Sequence, residues 1–293
     1  MAEISAQAVQ QLREKTGLGL MQCKKALGET GGDLEKAVEH LRKQGAAVAA
    51  KRVGKETKEG KIVFASTGSA TGSTSVAALE INCETDFVSA SEDFNVFAAK
   101  AVKAVAEGKP VDVEAAKALP VDGATLGEVN TAVIAKIGEL ITLRRFAVET
   151  AGSGEHIETY SHMGGKIGVI LKVGFSGTPS DANGIAALAK DLAMQVAATA
   201  PLSIDPKDVS SEVVDKEREI ARELTIKEGK TGDMLERIVE GKLSKFFKEN
   251  CLLQQIFVKD NKTAISALLA ANAKTLGVEN LRVIAFHRLQ LGQ

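Results

Sequence analysis

Three cysteines and four histidines are the only thiols and imidazoles in this chain, so nucleophilic or metal chemistry has few places to occur. Cys23, Cys83 and Cys251 are odd in number and far apart, which fits neither a disulfide framework nor a CxxC redox or zinc spacing. Cys83 has the most suggestive neighbours, Glu84, Asp86 and Glu92. Carboxylates close to a thiol favour its neutral form, however, so Cys83 reads as a buried or half-buried structural thiol rather than a nucleophile. His156 and His162 fall in one hairpin with no cysteine ligand near them, and HExxH, GxSxG and GxxxxGK[ST] are all absent. Gly164-Gly165-Lys166 matches a fragment of a phosphate loop but reads as a tight turn. The expectation is a protein with no catalytic residue, no metal site and no cofactor. One segment, Asn82-Cys83-Glu84-Thr85-Asp86-Phe87-Val88, combines polar turn formers with an aromatic. Taken alone, it makes Asp86 a turn or helix-start residue and Phe87 a core aromatic.

The elements around these residues follow from periodicity. Over 5–45, Val9 and Leu12, then Leu20, Cys23 and Leu27, then Leu34, Val38 and Leu41 recur at helical spacing, predicting three short helices punctuated by Gly17, Gly31-Gly32 and Gly45. Asp33 is placed to cap the third helix, and Lys43 suits its negative end. The basic stretch from Lys51 to Gly60 has no apolar period and reads as a linker. Residues 61–66 and 75–82 predict a hairpin with a Thr/Gly/Ser-rich turn, and Phe94, Phe97, Ala101 and Val105 a helix starting near Ser91. Leu126, Val129, Val133 and Ile137 mark another helix. From Leu140 to Glu149, Thr142, Arg144 and Phe146 alternate with Ile141, Leu143 and Arg145 as in a strand.

The order then restarts. Residues 156–161 and 166–173 predict a second hairpin, Ile185, Leu188, Leu192 and Val196 a helix ended by Pro201 and Pro206, and a last helix and strand follow at 265–273 and 281–287. Hairpin then helix, twice over, points to two related α+β subdomains. Inserted in the second of them, 210–248 is rich in Glu, Lys and Arg with Val213, Ile220, Leu224, Met234, Ile238 and Leu243 interspersed, which predicts two antiparallel helices with a narrow apolar seam. The expected units are 1–54, a three-helix module; 55–150, a first core subdomain; 151–205 with 249–293, a second; and 206–248, an inserted, protruding helical hairpin.

Composition bounds the functional class. At 44% hydrophobic and 26% charged, with a net charge of −1, the chain gives no electrostatic reason to bind nucleic acid directly. With no tryptophan and one tyrosine, it also has few aromatic platforms for stacked bases. The polar N-terminal run and the absence of any apolar stretch of spanning length argue against a membrane and for the cytoplasm, whose reducing conditions suit the cysteine usage.

Against this background, the segment from Asn82 to Val88, set after a strand and before a helix, resembles the signature of the elongation factor Ts family. Leu12-Arg13-Glu14-Lys15-Thr16-Gly17, Met21-Gln22-Cys23-Lys24-Lys25-Ala26-Leu27, Ala135-Lys136-Ile137-Gly138-Glu139, Tyr160-Ser161-His162, Leu192 to Ala198 and Ile238 to Lys242 are similar too, so the resemblance covers nearly the whole chain. It implies an α+β fold with a UBA-like N-terminal module, two related core subdomains with antiparallel sheets, and a coiled-coil hairpin. The activity it implies is guanine-nucleotide exchange on elongation factor Tu, met both GDP-bound and nucleotide-free, without covalent chemistry; a homodimer is left open. It casts Thr85, Asp86, Phe87 and Val88 as the nucleotide-releasing wedge. Arg13, Leu20, Met21 and Lys24 would touch the partner's GTPase domain, Ile137 and His162 would be contacts from the core, and Val258 and Lys259 would reach the partner's third domain. Without the resemblance, Leu20 and Met21 are equally packing residues, His162 a turn histidine and Val258 an ordinary strand residue. Two departures stand out: the chain stops soon after the 281–287 strand, so a further C-terminal helical module of some relatives is expected to be missing or reduced, and Lys259 stands where some members have an apolar residue. The competing reading is a non-catalytic adaptor that holds elongation factor Tu without speeding release. A thiol enzyme built on Cys83 is more remote.

Overall fold

A computed structural model describes residues 4–68 and 74–293; the Thr/Gly/Ser-rich turn expected between the first two strands lies largely outside the described residues. The chain opens with helices α1 (Ala6–Thr16), α2 (Leu20–Glu29) and α3 (Leu34–Arg52), whose shared core is Val9, Leu12, Cys23, Ala26, Leu27, Ala37 and Leu41. The side chain of Asp33 accepts the amide hydrogens of Glu35 and Lys36, capping α3 as expected.

Three details of this module differ from the sequence reading. Gly45 does not end α3, which runs on to Arg52 and so includes Lys51 and Arg52, taken above as linker. A Cβ on Gly45 would lie 3.1 Å from the Cβ of Ala135, so the glycine is where α3 meets a later helix rather than a break. Lys43 is consequently mid-helix, paired with Glu39, and Lys51 and Arg52 occupy the last turn. Leu20, read as part of the apolar seam, is exposed, and Ala26 takes the buried place beside Cys23 and Leu27.

The first sheet has the order β1-β2-β5, from β1 (Glu59–Gly68), β2 (Thr74–Cys83) and β5 (Ile141–Ala151), all antiparallel. Between β2 and β5 come α4 (Asp86–Ala90), α5 (Glu92–Gly108), α6 (Val113–Lys117), the two-residue strands β3 (Pro120–Val121) and β4 (Ala124–Thr125), and α7 (Leu126–Ile137). Leu79, Ile81 and Cys83 pack with Phe94, Phe97, Ala101, Val105, Leu126 and Ile134 to form its core. A bulge between Glu80 and Ile81 shifts the register, so Leu143 and Phe146 both reach this core; the strict alternation read from the sequence placed them on opposite faces.

The second sheet repeats the plan as β6-β7-β8, from β6 (Glu155–His162), β7 (Ile167–Ser176) and β8 (Glu279–Gln290). Its core joins Val169, Leu171 and Val173 to α8 (Ala182–Thr199) and α11 (Ile265–Leu276). The faces of the two sheets turned away from their helices meet through Ile62, Val76 and Ala78 on one side and Ile170 and Leu289 on the other. A Cβ on Gly168 would come within 2.4 Å of Ile62, so glycine is required at that crossing. Helices therefore cover the outside while the sheets lie back to back, a mixed helix and antiparallel-sheet, α+β, architecture.

Between α8 and α11 the chain runs out along α9 (Ser211–Lys227) and returns along α10 (Gly232–Asn250). Their seam is Ala221, Val239 and Leu243, with Leu235 and Phe247 against it. Val213, Ile220, Leu224 and Met234, assigned to the seam from the sequence, are exposed. Ala221 is the one small residue in a seam otherwise made of larger apolar side chains.

Candidate functional site

The segment after β2 turns sharply. Thr85 caps α4, accepting the amide hydrogen of Val88, and Ser91 ends that five-residue helix and caps α5. A helix this short buries one side only. Val88 points into the first core at 9% exposure, whereas Phe87 beside it is 84% exposed and Asp86 is also exposed. The reading of Phe87 as a core aromatic is thus overturned: its aromatic face lies in solvent, at a cost that folding alone does not explain.

Two carboxylates hold this turn. Glu139 accepts both the backbone N–H of Thr85, at 3.0 Å, and its hydroxyl, at 2.8 Å. Glu84 accepts the N–H of Leu140 at 2.7 Å and pairs with Arg52 at 3.2 Å. Cys83 lies beneath, its thiol donating to the Thr85 carbonyl. Burial, then the charges of Glu139 and Glu59, push that thiol up to about 12. The direction agrees with the sequence reading, but the carboxylates responsible are not Glu84, Asp86 and Glu92.

The remaining sequence-derived residues fall in separate places. Arg13, Leu20, Met21 and Lys24 are exposed on α1 and α2. Ile137 ends α7 half-buried against the same core as Val88, two residues before Glu139, and so belongs with the turn. His162 is exposed at the end of β6, its ring stacked on Tyr160 with Nδ1 3.1 Å from the phenol oxygen. Val258 and Lys259 lie on the loop before α11, Lys259 paired with Asp191 at 2.6 Å. Buried Gln195 fixes that loop by accepting the N–H of Val258 and donating to the Ile256 carbonyl.

Glu139 and Gln195 were not singled out from the sequence, although both lie in runs that carried the resemblance. Gln195 had a readable signal: it is polar on a helix whose neighbours Leu192 and Val196 face the core, and buried amides are retained where they satisfy backbone groups. Among the described residues, no group of three or more His, Cys, Asp or Glu is placed to hold a metal ion, and no helix is long and apolar enough to cross a membrane. A cleft between the N-terminal helices and α5 and α7 has charged walls in which several groups are paired, as Lys136 with Asp93 and Lys100 with Asp122.

Fold and site together define an α+β protein whose distinctive feature is a hydrogen-bonded turn displaying an aromatic to solvent. The family model described as elongation factor TS matches residues 84–293. Over its whole length the chain is similar to elongation factor Ts of Chloroherpeton thalassium, at 40% identity over 297 aligned residues covering 100% of both chains. It is also similar to that of Clostridium novyi, at 42% over 99% of this chain and 93% of the relative, and to that of Clostridium acetobutylicum, at 43% over the same shares. The chain belongs to the elongation factor Ts family.

Proposed function

We propose that this chain is a guanine-nucleotide exchange factor that binds elongation factor Tu carrying GDP, disturbs its magnesium and phosphate site, and promotes GDP release during translation elongation. Family membership supports the activity and the partner, and the exposure of Phe87 on an anchored turn is the observation that carries the mechanism. A GTPase holds GDP through phosphate-loop amides and a magnesium ion, so release requires several charge-assisted contacts to weaken together. Phe87 supplies an apolar wedge for a pocket between partner helices, and Asp86 acts on the helix supporting the magnesium site. Thr85 and Val88 hold the wedge from the protein side, Val88 by its burial.

Arg13, Leu20, Met21 and Lys24 form the surface for the partner's GTPase domain, Ile137 and His162 add core contacts, and Val258 and Lys259 reach its third domain. In this reading the working units are 1–54, 55–150, 151–205 with 249–293, and 206–248, the first UBA-like and the last a coiled coil. The protein acts in the cytoplasm, without covalent chemistry, cofactor or direct nucleic acid contact, and a homodimer is compatible with it. By linkage, the factor lowers nucleotide affinity only as much as nucleotide lowers the factor's affinity, so incoming nucleotide displaces it.

The test is release of fluorescent GDP from elongation factor Tu under excess unlabelled GDP, with wild type and with Phe87→Ala. Wild type is expected to accelerate release strongly, and the variant to lose about tenfold or more of that acceleration while binding changes far less. Binding without acceleration by wild type would replace this reading with that of a passive adaptor.

A further inference from the structure

An exposed wedge is useful only if it is held in one direction, and the five residues of α4 are too few to hold themselves. The hydrogen bonds around the turn show what does. Two consecutive residues of one segment, Glu84 and Thr85, exchange carboxylate bonds with two consecutive residues of another, Glu139 and Leu140: Glu84 accepts from the backbone of Leu140, and Glu139 accepts from the backbone of Thr85. These partners are 54 and 56 residues apart in sequence, so the clamp is tertiary. Every polar group of Thr85 is engaged, its N–H and hydroxyl donating to Glu139 and its carbonyl accepting from the Cys83 thiol and the Ser89 amide. Gly138, at φ 84°, makes the geometry accessible by ending α7 in a left-handed turn that brings Glu139 round to face Thr85.

Resting on the exchange reading above, we infer that Glu139 is a positioning residue for the wedge: its carboxylate fixes Thr85, and through Thr85 the direction in which α4 presents Phe87. Glu139 itself adds no apolar surface for the partner. Charge-assisted bonds from one carboxylate to two donors are short and directional, which is the property an aiming device needs. The core beneath the turn, Val88 with Phe94 and Phe97, does not depend on this carboxylate, so the fold survives its removal while the aim of the wedge is lost.

The experiment compares wild type, Glu139→Ala, Glu139→Gln and Phe87→Ala in fluorescent GDP release. Each is read as the maximal rate at saturating factor and as the factor concentration giving half of it, alongside thermal midpoints and amide exchange over 85–89. Glu139→Ala is expected to lower the maximal rate about tenfold, to leave the half-saturating concentration within about twofold, and to expose the Thr85 amide to exchange. Glu139→Gln is expected to recover most of the rate, because its amide oxygen still accepts the Thr85 N–H and its amino group can donate to the hydroxyl oxygen. The inference fails if Glu139→Ala exchanges nucleotide like wild type while Phe87→Ala does not. It also fails if the loss lies in half-saturation, or follows a lowered thermal midpoint that the glutamine variant does not restore. A normal rate for Phe87→Ala would remove the wedge reading itself, and this inference with it.

Discussion

Phe87 and Val88 are adjacent and similar in hydrophobicity, yet one is in water and the other in the core, and Cys83 a few residues earlier is fully enclosed. The cysteine gives the sharpest residue-scale expectation. Burial first, then the charges of Glu139 and Glu59, raise its thiol from an ordinary 9.0 to about 12. A raised folded value means the fold favours the neutral thiol, so the stability linked to this group is whole below about 9 and is lost as pH rises toward 12. Wild type is therefore expected to lose stability to urea more steeply between pH 8 and pH 10 than Cys83→Ser, and the native protein at pH 9 to leave Cys83 unalkylated by iodoacetamide. Prompt alkylation without unfolding would mean that the thiolate forms inside the fold. The chemistry of this thiol was legible from its neighbours' signs, but the charges acting on it come from Glu59 and Glu139, which only the folded chain brings close. Phe87 was legible only through family resemblance. Residue type tells what exposure costs, not which way a one-turn helix faces, so reading its residues alone made it core.

At the scale of elements, helices and strands were readable to within a few residues where periodicity was strong, and the misreadings have a common cause. In the sequence Gly45 reads as a helix end and Ala221 is weak in the pattern of α9 and α10, because small residues contribute little hydrophobic signal even where they are in contact with another helix. The larger Ile220, Leu224 and Met234 dominate that pattern, yet they face solvent. With Ala221, Val239 and Leu243 as its buried seam, and Arg222–Glu236 and Lys242–Glu228 pairs across its flanks, the hairpin has a small core distinct from those of the sheets. Val239→Asp would place a carboxylate in that seam at a local cost of about 3 kcal/mol. The expected result is loss of amide protection across 211–250, with the protection of β2 and β7 retained, by hydrogen exchange and mass spectrometry. Simultaneous loss in both sheets would show that the hairpin folds only as part of the whole.

For the whole molecule, the repeated order of hairpin and helix was visible in the sequence, but the back-to-back packing of the sheets was not drawn from it. A partial signal was there: Val76 and Ala78 of β2 and Ile170 of β7 put apolar side chains on the face opposite the one packed on helices. What no pattern could show is the charged link between the sheets, in which Glu149 of β5 meets Lys172 of β7 at 2.7 Å and His287 of β8 at 2.8 Å. Burial alone would push the Glu149 carboxyl up, but the hydrogen bonds and charges of Lys172 and His287 outweigh it and hold the group below its ordinary 4.5. A lowered folded value means that this contribution is present above about 4.5 and lost as pH falls through the folded value. Glu149→Gln should therefore lower stability at pH 7 by about 2 kcal/mol, because it leaves the Lys172 ammonium without its carboxylate. The side chain of Lys172 is only 13% exposed, so water replaces that partner poorly. The gap between variant and wild type, measured by urea unfolding, should close toward the most acidic pH at which both still fold, since wild type then carries a neutral carboxyl too. A gap of equal size at both pH values would assign the effect to shape and hydrogen bonding rather than charge.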